Sequence, residues 1–138
     1  MSAHIKMVVY LSLGLLAVFA WHFGTVLGFF GTAPQTQSEF FWRVGLILVG
    51  FFIASVVTSI LVAKNDEHGA LPDEREEKIE MKAEQNGVFA IYAGLLVLMW
   101  LVFIPMTPMQ VANGILAVVC FTEIVKLVSG LYYLNRRV

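Results

Sequence analysis

The chain is written as long apolar runs separated by short polar stretches. Uncharged hydrophobic residues extend from Met7 to Phe30, interrupted in polarity only by His22 and a few small hydroxyls. Similar runs cover Val44 to Ala63, Gly87 to Ile104, and about Met109 to Tyr133, the last containing Glu123 and Lys126. An α-helix needs about 20 such residues to cross about 30 Å of hydrocarbon. The pattern therefore predicts four transmembrane helices over about 7–30, 44–63, 87–104 and 109–133. The expected fold class is an all-α membrane protein, a four-transmembrane-helix bundle forming one domain over 1–138.

The first run follows Met-Ser-Ala-His-Ile-Lys and has the position of a signal peptide. Its apolar length exceeds the usual signal core, and no clear small-residue cleavage site follows. It is read as a retained span. Segments 31–39 and 105–108 are short. The second of these, Pro-Met-Thr-Pro, is uncharged and tight enough to force a hairpin. Segment 64–86 is long and heavily charged.

Composition agrees with the runs. Hydrophobic residues make up 59% and charged residues 14% of the 138 positions, whereas soluble domains carry about 25% charge. Too few polar groups exist to cover a water-facing surface. With four spans, Lys6, Lys64, Arg75, Lys78, Lys82, Arg136 and Arg137 fall on one side and only Arg43 on the other. The excess of positive charge marks the cytoplasmic face. The expected topology is N-in and C-in, multi-pass, in the cell (inner) membrane. Trp42, Trp100, Tyr132 and Tyr133 fall near span ends, where amphipathic rings favour the interface.

A shift of 70 residues aligns the first hairpin with the second. Val18-Phe19-Ala20-x-x-x-Gly24 falls on Val88-Phe89-Ala90-x-x-x-Gly94, and Leu46, Val49, Phe51, Ser59, Leu61 and Asn65 fall on Leu116, Val119, Phe121, Ser129, Leu131 and Asn135. Two readings stay open: tandem parallel helical hairpins, as in some transporter repeats, or two hairpins sharing a composition bias.

Eight of the ten acids lie between residues 64 and 84, alongside four bases. Pro72 or Asp73 starts a charged cytoplasmic helix over about 72–86, with carboxylates crowding its first turn. Glu74 and Lys78 have the favourable i,i+4 order. Continued to Ile104, this helix would be about 48 Å long at ~1.5 Å per residue. The excess of acid opposes lying flat on an anionic leaflet. The segment is read either as a solvated linker or as a dock for a cytoplasmic or membrane protein partner through Asp73, Glu74, Arg75, Glu77 and Lys78.

The run Asp73-Glu74-Arg75-x-x-x-Ile79-x-x-Lys82-Ala83 resembles the signature of a family of uncharacterised small multi-span membrane proteins of bacteria and archaea. The ending Tyr132-Tyr133-x-x-Arg136-Arg137 is similar to theirs. The resemblance implies a multi-span protein with a cytoplasmic motif before a transmembrane helix. It implies no activity and no site.

Polar residues inside spans are costly and need partners or water. Glu123 and Lys126, spaced i,i+3, share a helix face. They lie about 18 Å and about 13 Å from Asn135 along the helix at ~1.5 Å per residue. They are expected to pair with one another and to bridge to Ser55, Thr58 or Ser59. A second reading makes Glu123 a protonatable group in an ion or proton path. His22 is expected either as a hydrogen-bonded interior residue or, across a homodimer, as a ligand in a haem- or quinone-binding redox protein. At the repeat position of His22 stands Tyr92, which suggests a polar layer. Gly24-x-x-x-Gly28 with Gly31 is read as a flat stripe for close helix packing, internal or in a homodimer. Cys120 is read as a small buried hydrophobe.

No cofactor, metal or nucleic-acid motif is present in the sequence. Three functional classes follow. The first is a non-enzymatic accessory or regulatory membrane protein. The second is a small ion- or proton-coupled transporter or channel, and the third a redox protein.

Overall fold

A computed structural model describes residues 3–65 and 73–136. The described residues form four helices and no strand: α1 (Ala3–Val26), α2 (Gln37–Asn65), α3 (Glu74–Leu101) and α4 (Pro108–Asn135). All four are long and apolar enough to cross a membrane. The chain divides into two compact units, one holding α1 and α2 and the other α3 and α4.

In the first unit α1 ends at Val26, four residues short of the predicted Phe30. Gly28 and Gly31 adopt φ of +81° and +65°, the left-handed region that glycine enters without steric cost. Backbone bonds from Leu27 to Phe23 and from Phe29 to Gly24, both 2.9 Å, close the last turn. The expected Gly24-Gly28-Gly31 stripe therefore does not exist as a helix face. Two of its members form the turn. The third, Gly24, accommodates the Phe30 ring, which folds back where a β-carbon would clash.

Helix α2 starts at Gln37, earlier than the apolar run, because Thr36 caps it. The Glu39 amide donates to Thr36 Oγ1 at 3.2 Å, and Glu39 Oε2 accepts from Thr36 and Gln35 amides at 3.4 and 2.7 Å. Helix α4 starts in the same way. The Gln110 amide donates to Thr107 Oγ1 (3.2 Å) and the Thr107 amide to Gln110 Oε1 (3.0 Å), with Pro108 at the first helical position. The two caps are 71 positions apart, one more than the sequence repeat.

Burial does not follow the repeat. Phe19 is 1% exposed and its counterpart Phe89 is 71% exposed. His22 is fully buried and Tyr92 is 63% exposed, so the two do not form equivalent polar layers. The two hairpins share a threonine cap on their second helix but bury different faces.

Helix α3 runs unbroken through Gly87 for 28 residues, about 42 Å at ~1.5 Å per residue. Asp73 caps it, accepting from the Glu76 amide at 2.8 Å. Pro72, the other predicted start, lies outside the described residues.

Helices α3 and α4 pack closely through small residues. Ile79, Ala83, Gly87 and Ala90 are buried along one stripe of α3. A β-carbon on Gly94 would stand 2.7 Å from Val118, and one on Gly114 2.8 Å from Leu98. Gly130 faces Ala83. The pairs 83·130, 94·118 and 98·114 describe one antiparallel register. Small side chains let backbones approach so that dispersion holds the pair where lipid offers no hydrophobic drive.

Elsewhere large apolar side chains point outward. Leu46, Phe52, Ile53 and Leu61 on α2 are all exposed, and no part of its apolar stretch is buried. Such a surface suits hydrocarbon rather than water.

Candidate functional site

The polar chemistry of the second unit collects where the first half of α3 meets the last half of α4. Lys126 reaches across the hairpin. Its Nζ lies 2.7 Å from Glu84 Oε1 and 3.6 Å from Glu123 Oε1. The pairing expected within α4 is present, but the shorter contact is to α3. The long lysine stem passes over Gly87, where a β-carbon would stand 2.6 Å from Lys126 Cγ. Gly87 thus acts as a notch that admits the lysine. Thr122, one turn before Lys126 on α4, is buried and donates to the Val118 carbonyl at 2.9 Å. One ammonium lies between two carboxyl groups, one from each helix.

Beside it, Asn86 Nδ2 donates to Ser129 Oγ (3.0 Å) and to Tyr133 Oη (3.3 Å). Closer to the start of α3, Arg75 Nη2 donates to the Leu134 carbonyl at 3.3 Å, and Lys82 Nζ stands 5.3 Å from the centre of the Tyr133 ring. Arg136 stacks over Tyr132 at 4.8 Å. A cleft of about 670 Å³ is lined by Asp73, Glu74, Arg75, Lys78, Lys82 and Tyr133, with Ile79 at its base.

Among the residues expected to dock a partner, Asp73, Glu74, Arg75, Glu77 and Lys78 are all exposed. The i,i+4 pair Glu74–Lys78 does not close within 4.0 Å. Both side chains are free to point into water, where such a pair is worth little.

Ser55, Thr58 and Ser59 belong to the first unit, and each bonds within its own helix. Their hydroxyls donate to the carbonyls of Phe51 (2.8 Å), Ala54 (2.7 Å) and Ser55 (2.8 Å), one turn back on α2. A short hydroxyl on a helix reaches its own i−4 carbonyl more readily than a partner helix. Ser59 Oγ also lies 3.9 Å from Met7 Sδ.

His22 sits in the first unit among aromatic rings, edge-on to Phe23 at 5.4 Å and to Phe40 at 6.0 Å. Its carbonyl accepts from Thr25 Oγ1 at 2.6 Å. That hydroxyl in turn accepts from Arg43 Nη1 at 2.8 Å. Arg43 Nη2 donates to the Thr32 carbonyl at 2.8 Å, and the guanidinium stacks on Trp21 at 4.8 Å. Arg43 therefore ties the end of α1, the following loop and α2 together. Cys120 is half-buried. Among the described residues no group of three His, Cys, Asp or Glu is placed to hold a metal ion.

Glu84, Asn86 and Gly87 are absent from the site read from the sequence. A signal for them exists. A tight turn centred on residues 105–108 places position 87 opposite position 126.

Comparisons with protein-family models, curated proteins and solved structures give no match for the chain.

Proposed function

We propose that the protein is a non-enzymatic accessory or regulatory membrane protein. Its four helices cross the inner membrane as a bundle, with both termini and segment 64–86 in the cytoplasm. The exposed charged start of α3 is its docking element, and the family resemblance carried by Asp73–Ala83 and the Tyr132–Arg137 tail points to the same small multi-span class. The observation that carries the reading is the exposure of Glu74 and Glu77 on a helix that continues rigidly into an apolar span. Isolated carboxylates on a rigid stem offer a partner a fixed charge pattern at little ordering cost.

Photocrosslinking in membranes tests this. A crosslinker at Glu77 is expected to give one discrete protein adduct that disappears when Glu74 and Glu77 are both changed to Gln. A crosslinker at exposed Phe89 is expected to give none. Absence of any adduct from Glu77 would remove the docking function.

The ion-coupled alternative has one supporting observation, the two carboxylates sharing Lys126. Proton or cation flux in liposomes that stops in Glu123→Gln would favour it. The redox alternative rests on His22, whose imidazole stands edge-on to the Phe23 and Phe40 rings. A purified preparation with no visible absorption band and no bound quinone would end that alternative.

A further inference from the structure

The charges of α3 are sorted by face. At about 100° per residue, Arg75, Lys78 and Lys82 fall within an arc of about 60°. Glu76, Glu77, Glu80 and Glu84 fall on the opposite side, within about 100°, and Glu74 lies between. The net negative charge of the segment hides a basic stripe. That stripe lines the cleft of about 670 Å³ that Tyr133 closes from α4.

Among the described residues, none of Arg75, Lys78 and Lys82 forms an ion pair with a carboxylate. Arg75 is held by the Leu134 carbonyl and Lys82 by the Tyr133 ring. Both holds are to neutral groups. Two carboxylates also border the cleft. That of Asp73 is turned into the helix cap, and that of Glu74 lies at the edge of the stripe. Three cations against two carboxylates favour an anion.

The place of the cleft selects the kind of anion. Lys82 precedes the apolar run at Gly87 by five residues, about 7.5 Å at ~1.5 Å per residue. Tyr132 and Tyr133 mark the same level on α4. Aromatic rings beside lysine and arginine at the end of a span lie at headgroup depth.

The geometry points to a binding site for the phosphate headgroup of an anionic phospholipid in the Arg75–Lys78–Lys82–Tyr133 cleft. The site rests on the membrane-spanning reading and adds a lipid ligand to it. The basic stripe and the acidic face lie on opposite sides of α3, so a headgroup in the cleft meets the cations and not the excess of acid.

Purified full-length protein is delipidated in a neutral detergent. It is then offered phosphatidylglycerol or phosphatidylcholine at equal concentration and read by native mass spectrometry. Phosphatidylglycerol is expected to be retained preferentially. Each neutralisation among R75Q, K78Q and K82Q is expected to weaken retention about five-fold. The charge-preserving set R75K, K78R and K82R is expected to keep it, as is K64Q outside the cleft.

Equal retention of the two lipids would overturn the site, as would a triple Gln variant that still prefers phosphatidylglycerol. Loss in the charge-preserving set would also overturn it. Displacement by millimolar inorganic phosphate would replace the lipid with a soluble phosphate. Carbonate extraction of native membranes separates the two levels. Protein that remains in the membrane yet shows no lipid preference removes only this site, whereas protein released by carbonate removes the spanning reading.

Discussion

Gly87 lies directly beneath the side chain of Lys126, so close that a β-carbon there would stand 2.6 Å from Lys126 Cγ and 2.8 Å from Cδ. The absence of a side chain on α3 lets a cation on α4 reach Glu84. Replacement by Ala must move the lysine stem or spread the helices. Gly87→Ala is expected to lower stability by about 1–3 kcal/mol through overpacking. Gly45→Ala, where nothing lies within 4 Å, is expected to be neutral or stabilising by up to about 1 kcal/mol. Thermal denaturation of both variants in the same detergent checks the contrast.

Lys126 is closer to Glu84 than to Glu123. The coupling between residues 84 and 126 in a double-mutant cycle is therefore expected to exceed that between 123 and 126. Lys126→Met is expected to cost more than either Glu→Gln change, because it leaves two carboxylates facing one another. Equal couplings would mean that the cross-helix contact is not the dominant one.

Arg43 makes two hydrogen bonds and a stacking contact across the loop of the first unit. Arg43→Met is expected to cost about 2 kcal/mol and to raise amide hydrogen exchange at residues 27–33. Arg43→Lys is not expected to restore protection, since a single ammonium cannot serve Thr25 and Thr32 in the planar fork geometry while stacking on Trp21.

The proposed membrane orientation rests on the seven-to-one distribution of basic residues. In a Cys120→Ala background, an impermeant maleimide is expected to label Gln35→Cys and Ile104→Cys from outside intact cells. Glu77→Cys is expected to react only after permeabilisation. The reverse pattern would invert the topology and place the charged helix outside.

The helices were legible in the sequence because lipid-spanning runs are long and uniform. Their ends were less so. Val26 ends α1 since Gly28 and Gly31 form a turn, and an uncharged Leu-Gly-Phe-Phe-Gly stretch looks the same to hydropathy whether helical or turned. The start of α2 is not visible in hydropathy because Thr36 and Glu39 cap it with polar side chains outside the apolar run. The Lys126 cluster was half legible. Its i,i+3 partner lies on the same helix, whereas Glu84 belongs to a segment that its charge marks as solvated. Only the antiparallel register brings it to Lys126. The buried faces were not legible from the repeat at all. Phe19 and Phe89 share a local sequence yet differ in exposure, because packing partners and not local sequence decide which side of an apolar helix is covered.

Helix α3 has no hinge between Glu74 and Leu101. One continuous ladder of backbone hydrogen bonds therefore joins the charged residues around Glu77 to the far end of α3, where Leu98 rests on Gly114.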